Sequence, residues 1–308
     1  MQQQYECLFF IADWHSLTTH PIPTDIQQST YTILCEYLAC GVDPTRAAIY
    51  IQSDVPETLE LYLYLNMNAY LGELSRVTSF KEKARQQPDN INAGLLTYPT
   101  LMAADVLIHR ADKVPVGKDQ EQNMEMMRLF ARRFNRMYNV DFFNEPQSFH
   151  LSDTAVKVPG LDGSGKMGKS ENNAIYLCDD EDTIYKKVMH AVTDTGPTQP
   201  NQPMNESVKN LFDLMRIISP SETYHFFLDK YNNMTIRYGD MKKQLATDIN
   251  NFCSPIREKL DYYKNDTPYL QKVAREGAEK ARQSAQETLK GIREVLGFFP
   301  YESLRINK

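Results

Sequence analysis

Short apolar runs alternate with longer periodic segments in the first half of the chain, and the two patterns predict strands and helices in turn. Cys7-Leu-Phe-Phe-Ile-Ala12 is a continuous apolar run, the pattern of a parallel strand covered on both faces. Thr24 to Cys40 carries apolar residues at helical spacing and meets Gly41, a residue suited to ending a helix. Ala47-Ala-Ile-Tyr-Ile-Gln52 reads as a second buried strand, with Ser53 or Asp54 placed to cap a helix that has Pro56 in its first turn. That helix presents Leu59, Tyr62, Leu63 and Met67 and runs towards Tyr70 and Leu71. Leu95 to Ile108 is mostly apolar, and Tyr98-Pro99 is the expected opening of a helix carrying Met102 and Asp105. Val114-Pro115-Val116-Gly117 predicts a third short strand, followed by a helix from Asp119 to Tyr138. Strand, crossover helix and strand in this order predict an α/β fold with a Rossmann-like parallel sheet, whose ligands bind outside the carboxyl ends of the strands.

Beyond Ser170 the periodicity is helical. Asp180 to Val192 predicts a helix, and Gly196 to Pro203 reads as a polar linker. Met241, Leu245, Ile249, Phe252, Ile256 and Leu260 repeat at helical spacing. The last helix is expected to start at Thr267-Pro268 and to present Leu270, Val273, Gly277, Ala281, Ala285, Leu289, Ile292 and Leu296 on one face. The expected organisation is therefore an α/β domain over residues 1–178, with an insertion near 45–110, and an all-α domain over 179–308. The last helix of the second is able to pack back on the first.

Composition narrows the function classes. A length of 308 residues and a hydrophobic fraction of 42% suit two packed domains. No apolar run approaches the ~18 residues a membrane span needs, and the first residues carry no basic and apolar targeting pattern. The net charge of −6 argues against indiscriminate coating of nucleic acid. It leaves local patches such as Arg128-Leu-Phe-Ala-Arg-Arg-Phe-Asn-Arg136, whose plain alternative is a solvated helix face with Leu129, Phe130 and Phe134 buried. Five cysteines without a C-x-x-C pair point to reduced thiols and a cytoplasmic setting. The histidines show no metal-ligand spacing, so no metal held by the protein is expected. Met124, Met126 and Met127 read as packing.

The densest chemistry is Lys166-Met167-Gly168-Lys169-Ser170, framed by Pro159-Gly-Leu-Asp-Gly-Ser-Gly165 and Glu171-Asn-Asn173. Two compact ammonium groups on a glycine-flanked loop can follow phosphate oxygens as they move. Alone, the same string also describes a solvated basic loop. Its order resembles the K-M-S-K-S signature of class I aminoacyl-tRNA synthetases. Five further segments accompany it in order: Leu8-Phe-Phe-Ile-Ala-Asp-Trp-His-Ser-Leu-Thr-Thr19, Phe80-Lys-Glu-Lys83, Gly94-Leu-Leu-Thr-Tyr-Pro-Thr-Leu-Met-Ala-Ala-Asp105, Val114-Pro-Val-Gly-Lys-Asp-Gln120 and Ala191-Val-Thr-Asp194. Together they resemble the tryptophanyl-tRNA synthetase family over nearly the whole chain. The sister family for tyrosine shares the architecture without the Leu-Met-Ala-Ala-Asp string.

The resemblance implies activation of L-tryptophan by ATP, with Mg2+, and transfer to tRNA(Trp) by a homodimer joined through the insertion, with no membrane partner. It implies that Lys166 and Lys169 hold the departing pyrophosphate, with Lys83 as a third catalytic cation. It places Gly117, Lys118, Asp119, Val158, Met167, Gly168 and Ser170 beside the nucleotide. Asp105 would accept the indole N–H and Gln120 would contact the amino group or carboxylate. Tyr98, Met102, Val114 and Val116 would wall the pocket. His15 would either line it or pack behind it, and Trp14 would pack near it. Taken singly, Asp105 also reads as a helix residue paired with a nearby lysine or amide. The helical second domain would read the anticodon.

Three departures stand out. Gly168 replaces a serine, and Asn123 stands where the family has histidine. The family also carries, ahead of the segment matching Met1, a strand with an H-I-G-H-like signature. The expectation is that a wrong start or a boundary has shortened an active ligase, the alternative being a degenerate tryptophan- or tRNA-binding relative. A rival of another class is an adenylyltransferase for a small substrate that is not an amino acid, which would leave the helical tail unexplained.

Overall fold

Two pairs of parallel strands, each pair joined through helical segments, underlie the first part of the chain. The structure, a computed structural model, describes residues 1–149, 158–163, 165–168 and 171–298, and of Lys118 only the backbone. By compactness the chain divides into one unit of residues 1–153 and 266–308 and another of 154–265.

In the first unit, strand β1 (Cys7–Ile11) leads into the short helix α1 (Asp13–Ser16), and helix α2 (Pro23–Ala39) returns the chain to β2 (Ala47–Ile51). Gly41 follows α2 at φ 94° and ends it by turning left-handed. β1 and β2 pair in parallel from Cys7 opposite Ala47 to Ile11 opposite Ile51, joined by the α2 crossover. Helices α3 (Glu57–Met67), α4 (Leu71–Leu74), α5 (Thr78–Gln86) and α6 (Ala93–Leu107) lead to β3 (Lys113–Pro115). Helix α7 (Glu121–Tyr138) then leads to β4 (Gln147–Phe149), which pairs in parallel with β3. The two strand pairs form separate sheets among the described residues.

The second unit holds the described parts of the lysine loop and helices α8 (Glu181–Met189), α9 (Glu206–Ile218), α10 (Ser221–Asn232) and α11 (Tyr238–Lys264). Its core gathers Leu161, Ile184, Val188, Leu211, Met215 and Met241. Leu161 and Met167 pack with the helices that follow them. Helix α12 (Thr267–Val295) is part of the first unit and lies along β2. Gly277 makes that contact: a Cβ there would stand 1.9 Å from the carbonyl oxygen of Ile49.

Several local expectations are corrected. Ser53 and Asp54 belong to a short turn, Gln52–Asp54, and do not cap α3, whose first flanking residue is Pro56. Helix α6 is opened by Asn92, whose side chain accepts the Leu95 N–H at 3.1 Å, and Pro99 lies inside it. Asp266 rather than Thr267 caps α12, accepting the Tyr269 N–H at 3.1 Å. The arginines of α7 are largely engaged with carboxylates. Arg133 grips Glu73 through both oxygens at 2.8 Å. Arg132 joins Glu125 at 2.8 Å and Glu145 at 2.6 Å.

Candidate active site

Parallel strands deliver their next residues to one edge of the sheet, which brings together side chains distant in sequence. β1 leads into α1, which presents His15, while Gln52 directly follows the last residue of β2. Both meet Asp105 of α6. His15 Nε2 lies 2.8 Å from Asp105 Oδ2, and Gln52 Nε2 donates to Asp105 Oδ1 at 2.6 Å. Gln52 Oε1 in turn accepts the Trp14 N–H at 3.2 Å, which ties the start of α1 to the end of β2. Asp105 is 5% exposed. Burial raises its carboxyl above the ordinary range, while the His15 and Gln52 hydrogen bonds pull the other way.

Tyr98, Met102 and Asp105 fall four and three residues apart and share one face of α6. The Tyr98 ring lies 4.4 Å from that of His15. On it rests the Lys83 ammonium from α5, 3.9 Å from the ring centroid, an attraction that needs no counter-charge. Half-burial lowers the pKa of Lys83. Lys83, Tyr98, His15 and Asp105 therefore form one continuous group.

A cavity of about 630 Å³ opens between β1 and β3 in the same unit, with Phe10, Tyr50, Asp105, His109 and Val114 in its wall. Tyr50 Oη and His109 Nε2 are 3.0 Å apart, and His109 Nδ1 is 3.3 Å from Ser284 Oγ of α12. Burial pushes His109 down to about 4. After β3, Val116 is half-buried and Gly117 opens a turn whose carbonyl accepts the Gln120 N–H at 3.0 Å. Gln120 donates to Asp119 Oδ2 at 2.9 Å and accepts from Asn123 Nδ2 at 2.8 Å. Asn123 thus orients the Gln120 amide.

In the second unit Lys166 is exposed, Met167 leans on the helical core, and the Met167 N–H donates to the Val158 carbonyl at 2.8 Å. Lys169, Ser170 and the Lys118 side chain lie outside the described residues. Asp194 holds its segment together, accepting from Tyr238 at 2.7 Å and Asn205 at 2.8 Å. Sequence reasoning missed Gln52, Tyr50 and His109 as members of this site. The available signal for Gln52 was a polar residue ending an apolar strand.

Comparisons with known proteins identify the family. The family described as "tRNA synthetases class I (W and Y)" matches residues 1–254. The chain is 68% identical over 298 residues to the tryptophan--tRNA ligase of Porphyromonas gingivalis, covering 97% of this chain and 91% of that one. Among solved structures, the tryptophanyl-tRNA synthetase of Campylobacter jejuni complexed with ADP and tryptophan aligns with a TM-score of 0.85. Its identity is 30%, over 96% of this chain and 91% of the other. The Mycoplasma pneumoniae tryptophanyl-tRNA synthetase aligns with a TM-score of 0.81 at 28% identity, over 99% and 92%. The chain belongs to the class I tRNA synthetases, and within them to the tryptophanyl-tRNA synthetases.

Proposed function

We propose that the protein activates L-tryptophan with ATP to tryptophanyl-adenylate and transfers the tryptophanyl group to tRNA(Trp), the reaction of a tryptophan--tRNA ligase. The observation that carries this reading is Asp105, a buried carboxylate held by His15 and Gln52 in a chain 68% identical to such a ligase. Each carboxylate oxygen already accepts one hydrogen bond and retains capacity for another, so an indole N–H has an acceptor. An apolar side chain without that N–H would bury the carboxylate and satisfy it less, the principle by which polar sites reject the analogue that lacks a donor. Tyr98, Met102, Val114 and Val116 are assigned to the indole, and Gln120 to the amino group or carboxylate of the substrate.

The chemistry asks for no covalent nucleophile on the enzyme. The tryptophan carboxylate attacks the α-phosphorus, the bond to the bridging oxygen breaks, and pyrophosphate leaves. Rate then comes from positioning and from cations where charge accumulates. Lys166 and Lys169 are assigned to the departing pyrophosphate and Lys83 to the reacting phosphate. Gly117, Lys118, Asp119, Val158, Met167, Gly168 and Ser170 are assigned to the nucleotide. ATP enters as its magnesium complex. No three metal-ligating side chains gather among the described residues. Mg2+ commonly keeps water and phosphate oxygens as ligands, so the ion is assigned to the nucleotide.

Helices α8 to α11 are assigned to tRNA contact. Helix α3 supports a homodimer: Leu59, Leu63 and Met67 recur every four residues, remain exposed, and continue into Tyr70 and Leu71. Such a stripe marks a covered face. No helix among the described residues is long and apolar enough to cross a membrane, and all five cysteines are free. Both support the cytoplasm as the place of action.

ATP–pyrophosphate exchange tests the reading. Exchange is expected with tryptophan and not with tyrosine or phenylalanine, followed by charging of tRNA(Trp). Equal exchange with tyrosine, or none with any of the three, would contradict it.

A further inference from the structure

Asn173 lies just past the lysine loop and is buried, 5% exposed. Its amide holds three separate points of the loop. Nδ2 donates to the Lys166 carbonyl at 3.1 Å and to the Asp162 carboxylate at 2.9 Å, while Oδ1 accepts the Gly168 N–H at 2.9 Å. Its own carbonyl accepts the Leu161 N–H at 3.3 Å. The reversed amide would put an oxygen against two acceptors and an NH2 against an N–H, so this network fixes one orientation. Asn172 ahead of it is left-handed at φ 53°, a conformation asparagine tolerates better than most residues. The chain thereby turns the amide back onto the loop.

The Lys166 backbone is thus gripped from three directions. Its carbonyl is held by Asn173, and the next N–H bonds Val158 at 2.8 Å. The side chain of Met167 packs on the core of Leu161, Ile184 and Met241. The Lys166 side chain is exposed. A lysine with a fixed root and a free ammonium reaches a defined shell of positions at little ordering cost, which suits a cation that must meet a leaving group.

We infer that Asn173 is a positioning residue for the activation reaction, setting the backbone of Lys166 so that its ammonium meets the pyrophosphate as charge builds there. This rests on the reading of Lys166 given above. No substrate contact is assigned to Asn173 itself.

The test is ATP–pyrophosphate exchange with the full chain, comparing the parent protein with Asn173→Ala, Asn173→Asp, Lys166→Ala and the double variant Lys166→Ala/Asn173→Ala. Asn173→Ala is expected to lower kcat about 10- to 100-fold, the scale of a misplaced reacting group. The KM for tryptophan should stay within about twofold, since uniform substrate binding is untouched. Asn173→Asp keeps the volume and the acceptor for Gly168 but loses both donations and faces Asp162 with a second negative charge. It should lose kcat in the same way, which guards against an alanine variant that misfolds. If Asn173 acts through Lys166, the double variant should be no slower than Lys166→Ala by more than about twofold, since coupled residues do not add. An unchanged kcat in both Asn173 variants beside an impaired Lys166→Ala overturns the inference. So do losses that multiply in the double variant, which mark a role independent of Lys166. Lys166→Ala at the parent rate is a different failure, because it removes the reading of the loop and this inference with it.

Discussion

At the scale of single residues, the site depends on polar groups that burial makes sensitive to their partners. Asp105 was legible, because its place in the Leu-Met-Ala-Ala-Asp string marked it. Gln52 was not: only the side-by-side placement of β1 and β2 brings it 2.6 Å from a carboxylate in α6, and periodicity carries no information about that pairing. His109 was hidden for the same reason, since its partners Tyr50 and Ser284 lie 59 and 175 residues away. Its folded-state pKa, pushed by burial to about 4, has a measurable consequence. A histidine depressed below its unfolded value contributes stability that is present above the unfolded pKa and lost as pH falls towards the folded one. Between about pH 6.5 and pH 4 the loss should approach ~3 kcal/mol. The raised carboxyl of Asp105 acts with the opposite slope: its contribution is present below the unfolded carboxyl pKa and lost as pH rises through the folded value. Total stability therefore mixes the two, and comparison with His109→Gln isolates the histidine. Urea unfolding at several pH values is expected to show a shallower acid loss in that variant. An identical pH profile in both proteins would contradict a buried neutral His109.

At the scale of elements, the strands and long helices were legible from hydrophobic pattern, and their ends were not. Apolar runs marked β1 and β2, and the period of Leu270 to Ile292 marked α12. Pro99 was misplaced because proline at a helix start is the usual reading. Here the Asn92 cap opens α6 one and a half turns earlier and Pro99 falls inside. Strand β4, three residues long, carries too little pattern to be seen. Gly277 shows how one small residue joins two elements. A methyl group would stand 1.9 Å from a main-chain oxygen of β2, and backbone cannot swing aside as a side chain can. Gly277→Ala should destabilise the first unit by about 3 kcal/mol or more, as overpacking at a rigid contact does. Gly239→Ala, at a helical glycine with nothing within 4 Å, should stay within about 1 kcal/mol, the helix-propensity scale. Thermal unfolding of both checks this, and equal shifts would contradict the close packing of α12 on β2.

At the scale of the whole molecule, the order of the motifs was enough to place the chain in its family, and the motifs divide between the two compact units. The residues assigned above to tryptophan fall in the first unit and the described part of the lysine loop in the second. Their cooperation is a matter of chemistry that activity must reveal. Assembly is tested separately: Met67, 76% exposed on the α3 stripe, is expected to lie in the homodimer interface. A charge there would be desolvated on association, so Met67→Glu should weaken the dimer at least tenfold in sedimentation equilibrium, the equivalent of ~1.4 kcal/mol. A dimer of unchanged strength would move the interface elsewhere. The central claim is that the Asp105 carboxylate, oriented by His15 and Gln52, selects tryptophan by its ring N–H. Its most direct test is kcat/KM for ATP–pyrophosphate exchange with tryptophan and with its benzothiophene isostere, in the parent protein and in Asp105→Asn. The parent is expected to favour tryptophan strongly, and the asparagine variant to lose about 10- to 100-fold of that preference, the worth of a hydrogen bond to a buried charge. The same preference in both proteins would contradict the account.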